Sequence, residues 1–216
     1  MRSLLLVASL LLGATWPALA AEVIVHLDDG HGHAASDAVV MLIPEGAPTT
    51  LPTPPPATHF VDQRDETFVP YVQLLRPGDK VVFRNSDKTR HHVYSFAAIK
   101  TFEFVLRPGE SSPALVMDNS GIAAVGCNIH DHMISYLFVS AAPAIALSSH
   151  DGDVTLSHLA PGRYTARVWH PQLHPGHPQP TRSVIIAGDA DGQHLDFTLS
   201  LMPDPRLFMD REHLDY

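Results

Sequence analysis

Residues 121–139 read GIAAVGCNIHDHMISYLFV. In this stretch a short polar loop lies between two apolar runs, and the loop carries Cys127, His130 and Met133 in the order Cys-x2-His-x2-Met. The run from Tyr136 to Val139 has the residue types of a β-strand. The spacing therefore places a thiol, an imidazole and a thioether on one tight loop between two strands.

These three side chains are soft metal ligands. Thiolate and thioether groups select copper or zinc over calcium and magnesium, and two histidines, one cysteine and a distant axial methionine are typical of electron-transfer copper sites. Such a site needs a second histidine from another part of the chain. We expect His91 to supply it, because the strand Val81 to Asn85 leads into a loop that a β-sandwich can bring beside Cys127.

The first 20 residues are typical of a secretory signal peptide, with Arg2, an apolar run from Leu4 to Leu12, and small residues around Ala20. We therefore expect cleavage near Ala20 and a periplasmic protein. No later run approaches the roughly 20 apolar residues of a membrane helix, so no membrane span is predicted. Exported proteins normally pair their cysteines, and Cys127 is the single cysteine of the chain. A metal would explain why this thiol is unpaired.

Composition narrows the range of partners. The 216 residues carry a formal net charge of -9 and no cluster of lysine or arginine. This balance argues against nucleic acid and anionic lipid as partners. A protein or a small molecule is the expected partner.

Short alternating runs separated by proline, glycine and aspartate predict an all-β protein with little helix. The proline-rich stretch from Pro44 to Ala57 is predicted to be an extended surface loop, because proline cannot donate to a sheet. A second break at Ser140 to Pro143 separates two modules. The predicted division is a signal peptide at 1–20, a first β-domain at 21–140, a second at 141–201, and a peripheral tail at 202–216.

Four ordered pieces of sequence carry a family resemblance. Together, from Val23 to Ser140, they resemble the cupredoxins, such as plastocyanin, azurin and amicyanin, and the ligand loop is similar in length to that of amicyanin. Within this group, Arg90 to Phe96 and Gly126 to Asp131 resemble periplasmic proteins often labelled methylamine utilization proteins. The four pieces are Phe68-x-Pro70, Leu75 to Asn85, His91-x-Val93 and Gly121 to Met133.

The resemblance implies a Greek-key sandwich that binds one copper ion, cycling between Cu(I) and Cu(II). It also implies that the backbone N–H of His92 donates to the Cys127 sulfur and that Asn85 ties the two ligand loops together. The implied ligands are His91, Cys127, His130 and Met133.

Two ligand positions stay open, because each has a histidine as its neighbour. His92 could bind in place of His91, although the spacing from Asn85 favours His91. His132 could replace Met133, which would give a more strongly coordinated, lower-potential copper site or a zinc site.

Other polar clusters have plainer interpretations. Metal binding by the remaining histidine tracts is possible, but solvated loops are favoured, because prolines hold the side chains apart. Asp151-Gly152-Asp153 is predicted to be a turn, since the other ligands of a calcium loop are missing. The histidines concerned are His31, His33, His170, His174 and His177.

The second module, from about Ala144 to Leu201, resembles the carboxypeptidase regulatory-like domains, which are small immunoglobulin-like β-sandwiches. This resemblance transfers no catalytic residue. The predicted architecture is a Greek-key cupredoxin sandwich followed by a small immunoglobulin-like sandwich.

The leading function is one-electron transfer to an unidentified periplasmic redox protein. The alternative is storage, delivery or sensing of copper without electron transfer. No hydrolase, metalloprotease or phosphate-loop motif occurs, so enzymatic activity is not predicted.

Overall fold

The computed structural model describes residues 21–46, 54–187 and 192–208, and these residues confirm the all-β prediction. The predicted signal peptide and residues 47–53 of the predicted proline-rich loop lie outside them. In the described part of the chain, no helix is long and apolar enough to cross a membrane. A 3₁₀ turn covers Pro205–Phe208. The strands, in chain order, are β1 (Ala21–Asp28), β2 (Val39–Pro44), β3 (Thr58–Arg64), β4 (Thr67–Val69), β5 (Val72–Leu75), β6 (Lys80–Asn85), β7 (His91–Ala97), β8 (Lys100–Leu106), β9 (Leu115–Val116), β10 (Gly121–Cys127), β11 (Ile134–Val139), β12 (Ala144–Leu147), β13 (Asp153–Leu159), β14 (Gly162–Trp169), β15 (Thr181–Ile186) and β16 (Gln193–Thr198).

The first sandwich is made of strands β3 to β11. One sheet has the order β4-β3-β6-β9 and the other the order β5-β11-β10-β7-β8. Alternate residues of these strands point inward, such as Val81 and Phe83 of β6 and Val93 of β7, and they bury one apolar cluster. Cys127 and Met133 belong to this cluster, so the predicted ligand loop lies at one end of the core.

The second sandwich combines strands from both ends of the chain. Its sheets have the orders β13-β1-β16 and β12-β2-β14-β15. β1 runs antiparallel to β13 and parallel to β16, while β2 pairs with β12 and β14. Val25, Val40 and Phe197 meet in the separate apolar core of this sandwich.

The predicted division at residue 140 is therefore revised. β1 and β2 precede the first sandwich in the chain but pair only with strands that follow it, so residues 54–143 form an insertion between β2 and β12. The physical reason is that the alternating apolar pattern of β1 and β2 predicts strands without indicating which sandwich they join.

The two sandwiches pack against each other through an aromatic cluster. Trp169 of β14 lies with its ring centroid 5.0 Å from that of Phe138 and 5.7 Å from that of Tyr136, both on β11. The Gln172 amide donates to the buried hydroxyl of Tyr71 at 2.6 Å. This interface joins the outer face of the sheet that holds β2 to the outer face of the sheet that holds β11.

The first residues of the predicted tail are part of the fold. The Arg206 guanidinium lies 3.7 Å from the ring centroid of Tyr71 and forms ion pairs with Asp37 and Asp204, at 3.0 and 2.6 Å. Residues 204–206 therefore join the two sandwiches, which corrects the prediction of a peripheral tail for this part. Residues 209–216 of that predicted tail lie outside the described range.

Candidate metal centre

The loop after β10 folds back on itself. The backbone N–H of Met133 donates to the carbonyl of His130 at 3.0 Å, and the N–H of Cys127 donates to the carbonyl of Met133 at 3.3 Å. These two bonds close the loop between β10 and β11. The short spacing Cys-x2-His-x2-Met therefore folds locally, as the sequence predicts.

His91 reaches the same place through the sheet. β7 begins at His91 and pairs with β10 so that Val93 lies opposite Cys127. Because side chains alternate along a strand, His91 points to the same inner face as Val93. The His91 side chain is 0% exposed.

The structure brings His91, Cys127 and His130 together as a cluster with metal-ligand geometry. The Nδ1 atoms of His91 and His130 each lie 3.7 Å from the Cys127 sulfur, and the three ligand atoms all lie within 4.8 Å of one another. Bonds of about 2.3 Å to sulfur and about 2.0 Å to nitrogen, at trigonal angles, require a sulfur–nitrogen separation of about 3.7 Å. The donor set and its spacing therefore fit one ion.

Met133 and His132 take different positions. Met133 is 1% exposed and packs in the same apolar cluster as Cys127. The His132 ring turns away, and its Nε2 donates to the backbone carbonyl of Glu66 at 3.1 Å. Of the two neighbours, Met133 is the one buried with the cysteine.

His92 lies on the opposite face of β7 from His91. Its Nε2 is 2.6 Å from the Glu103 carboxylate, and its Nδ1 is 3.4 Å from the Asn128 side-chain nitrogen. Its backbone N–H, however, helps to lower the pKa of the Cys127 thiol. His92 thus contributes its backbone to the site and not its ring.

The Cys127 thiol has a lowered pKa. Burial alone would raise its pKa, but the hydrogen bond with His91 and three backbone N–H donors lower the pKa to about 6. The three donors belong to Ile129, His92 and His130. Thiolate is the metal-binding form of cysteine, so the protein supplies the ligand in its reactive state near neutral pH.

Two carboxylates that the sequence did not predict lie beside the ligand histidines. Asp87 lies 2.8 Å from Nε2 of His91, and it also accepts the backbone N–H groups of Asp65 and Glu66 at 2.6 and 3.1 Å. Glu66 lies 3.5 Å from Nε2 of His130. A carboxylate that is hydrogen-bonded to a ligand histidine, as Asp87 is to His91, fixes the orientation of the ring and makes it a stronger ligand. The step of four residues from Asp87 to His91 was a possible signal, whereas nothing in the sequence links Glu66 to His130.

Asn85 supports the His91 loop in a way that differs from the prediction. Its side-chain nitrogen donates to the carbonyls of Thr89 and Leu106, at 2.8 and 2.9 Å, and its oxygen accepts the N–H of Asp87 at 2.9 Å. Asn85 therefore ties the loop before His91 to the end of β8. Among the described residues its side chain makes no hydrogen bond to the loop that carries Cys127.

Comparisons with solved structures return copper proteins, although no family model and no curated protein matches the chain. A copper(I) form of an amicyanin variant is 16% identical, with a TM-score of 0.34, over 38% of this chain and 80% of that one. A reduced amicyanin variant is 17% identical, with a TM-score of 0.35, over 38% and 82%. The copper-containing nitrite reductase of Thermus scotoductus SA-01 is 24% identical, with a TM-score of 0.34, over 45% and 25%.

The remaining polar clusters lie in the second sandwich. His170 is buried, with Nε2 2.8 Å from the carbonyl of Ser36 and Nδ1 accepting the N–H of Gln172 at 3.1 Å. Both ring nitrogens are thus engaged, and His170 serves the fold. Asp151, Gly152 and Asp153 form a turn, closed by the bond from the Gly152 N–H to the carbonyl of Ser149 at 3.0 Å.

Proposed function

We propose that the chain is a periplasmic one-electron carrier that holds a single copper ion. The observation that carries this proposal is the spacing of 3.7 Å between the buried Cys127 sulfur and Nδ1 of each of two histidines. Bound copper would supply a Cu(I)/Cu(II) couple. The proposed ligands are His91, Cys127, His130 and Met133.

The protein supports such a couple by holding its ligands still. His91 is fully buried and hydrogen-bonded to Asp87, while the Cys127 sulfur lies 3.7 Å from Nδ1 of both histidines. Met133 is enclosed in the core. A preformed, buried set of ligands changes little between oxidation states, which favours rapid electron exchange. We also propose that the chain is not an enzyme.

The proposed point of exchange is His130. Its side chain is 15% exposed, whereas the other proposed ligands are buried. Glu66 lies beside it, and the exposed Asp131 follows it in the loop. A partner of complementary charge is the redox protein that this surface favours. We expect association to weaken as salt is raised, because surface charges are screened.

Two family resemblances and the predicted export are part of this proposal. The resemblance to methylamine utilization proteins and the resemblance of the second sandwich to carboxypeptidase regulatory-like domains both stay predictions. So does export through the signal peptide at 1–20, which is needed for a periplasmic location. Each is compatible with a copper carrier, and none is required for the geometry of the site.

The test begins with Cu(II) added to the protein comprising residues 21–216. An intense thiolate-to-copper absorption band, narrow hyperfine splitting in the paramagnetic-resonance spectrum and a reversible reduction potential are the expected results. Copper that passes from the reduced protein to a moderate Cu(I) chelator, with no reversible couple, would instead favour storage or delivery. Retention of zinc when equal amounts of both metals are offered would contradict the copper assignment.

Matched variants test the ligands. Cys127→Ser should abolish the absorption band, and His91→Asn should remove tight copper binding. His92→Asn is the control, because it changes the adjacent histidine on the outer face and should leave the band nearly intact. Colour that persists in Cys127→Ser, or copper that is lost in His92→Asn and kept in His91→Asn, would overturn the assignment.

A further inference from the structure

The histidine tract after β14 divides into two kinds of residue. His170 is buried with both ring nitrogens hydrogen-bonded, as described above. His174 and His177 are exposed, and their ring centroids lie 5.7 Å apart at an interplanar angle of 49°. Among residues 21–46, 54–187 and 192–208, neither of these two rings makes a side-chain hydrogen bond. The pair is free to bind a ligand.

The backbone holds the two rings on the same side of a tight turn. The N–H of His177 donates to the carbonyl of His174 at 3.3 Å, and Gly176 between them has φ of +79°, which suits glycine. Pro175 and Pro178 restrict the chain on either side. Prolines were expected to hold these side chains apart, but the turn brings the rings together.

The turn is anchored to the end of the second sandwich. Leu173 forms a β-bridge with Leu201, and the N–H of Met202 donates to the carbonyl of Gln172 at 2.8 Å. His174 and His177 line a cavity of about 400 Å³, together with Thr198 and Ser200. The cavity has room for water, and two hydroxyl groups can hold it in place.

The surroundings favour a cation. The Thr198 hydroxyl donates to Asp28 at 3.1 Å, which places a carboxylate beside one wall of the cavity. The next residue, Asp29, accepts hydrogen bonds from the ring and backbone of His33 and from the backbone of His31, and these hold the pKa of its carboxyl well below the usual range. The Asp29 carboxyl is therefore ionised at neutral pH.

We propose that His174 and His177 bind a second, exchangeable divalent transition-metal ion, and that water completes its coordination. Cu(II) is the ion that tests this proposal. Imidazole suits copper, nickel and zinc, and a site with two nitrogens and several oxygens favours the tetragonal geometry of Cu(II). Small rotations of two exposed rings bring one nitrogen of each to a common ion. The site shares no residue with the proposed carrier site.

The experiment titrates the protein comprising residues 21–216 with Cu(II), by calorimetry and paramagnetic resonance. Two equivalents per chain are expected, the second with wide hyperfine splitting and no intense visible band. His174→Ala and His177→Ala should each lower the affinity for the second Cu(II) ion by at least about 10-fold. Removing a group that only orients a metal ligand already costs about 10-fold in affinity, and each of these variants removes a ligand itself. Uptake of a single equivalent by the wild-type protein would overturn the proposal.

Three further variants separate this site from other histidines and from the carrier site. His150→Ala removes a solvent-exposed histidine elsewhere in the same sandwich and should change neither equivalent. Cys127→Ser should keep the second equivalent while losing the first, so the two proposals fail independently. Loss of the second equivalent in the double variant His31→Ala, His33→Ala, with retention in His174→Ala, would place the site in the wrong loop and contradict the proposal.

Discussion

At the scale of single residues, the direction of each side chain decides which neighbours meet. His91 and His92 are adjacent in sequence, yet one is fully buried beside Cys127 and the other bonds to Glu103 on the opposite face of β7. The period of two along a strand explains this difference. Met133 and His132 differ for another reason, because the turn that bonds Met133 to His130 directs the thioether into the core.

The carboxylate of Asp87 should tune the proposed copper site through His91. Asp87→Asn removes a negative charge that is hydrogen-bonded to a ligand, so Cu(II) is stabilised less than Cu(I). We expect the reduction potential to rise and the affinity for Cu(II) to fall by about 10- to 100-fold. Voltammetry and competition with a Cu(II) chelator measure the two effects.

Glu103→Gln is the matched control for this variant. Glu103 pairs with His92 as Asp87 pairs with His91, but His92 does not point into the cluster. The control should leave the potential unchanged. An equal effect of the two substitutions would mean that Asp87 acts only as a distant charge.

His170 should make stability depend on pH. Its pKa is lowered, mainly by burial, and only the neutral ring can donate to Ser36 while accepting from Gln172. The unfolded chain therefore binds a proton that the folded chain excludes, and stability falls as pH drops below the ordinary histidine value of about 6.5. Urea unfolding at pH 7.5 and 5.5 measures the loss, which should be smaller in His170→Gln. An NMR titration that gives His170 an ordinary or raised pKa would contradict this account.

At the scale of elements, turns determine how strands dock. The loop between β12 and β13 carries Gly152, whose carbonyl accepts the N–H of Leu27 at 2.9 Å and whose φ is +78°. A side-chain carbon built there would lie 2.3 Å from the carbonyl oxygen of Leu27, on the backbone of β1. The turn thus needs glycine for two reasons, its left-handed conformation and its closeness to β1.

Gly152→Ala should therefore destabilise the second sandwich severely. We expect a loss of about 3 kcal/mol or more in the free energy of unfolding, since the strained conformation and the overpacking add together. Gly32→Ala is the control, because Gly32 has φ of +92° but open space around it. It should cost only about 1 kcal/mol. Equal losses in urea unfolding would show that the contact with Leu27 relaxes at no cost.

At the scale of the whole molecule, the first sandwich is inserted into the second. Val23, Val25 and Leu27 of β1 are fully buried by strands that follow the insertion in the chain. The two sandwiches pack against each other through the aromatic cluster around Trp169. A chain that ends at the predicted boundary would keep β1 and β2 without the strands that cover them.

Removal of residues 141–216 should therefore expose residues 21–46. We expect the shortened protein to aggregate in size-exclusion chromatography and to lose residues 21–46 rapidly to protease, because its buried apolar strands have no partners. The protein comprising residues 21–216 should resist the same protease at these positions. A monomeric shortened protein with residues 21–46 protected would support the boundary at 140 that the sequence predicts.

The sequence by itself determined the β-strand character of the chain and the local part of the candidate site. Cys127, His130 and Met133 are close in sequence, and one turn suffices to bring them together. Only the tertiary structure decided the rest. The choice of His91 depends on the pairing of β7 with β10, and the Asp87 and Glu66 contacts depend on how separate loops meet. The insertion depends on long-range pairing of β1 and β2, because an apolar alternation specifies a buried face but not the strand that will lie beside it.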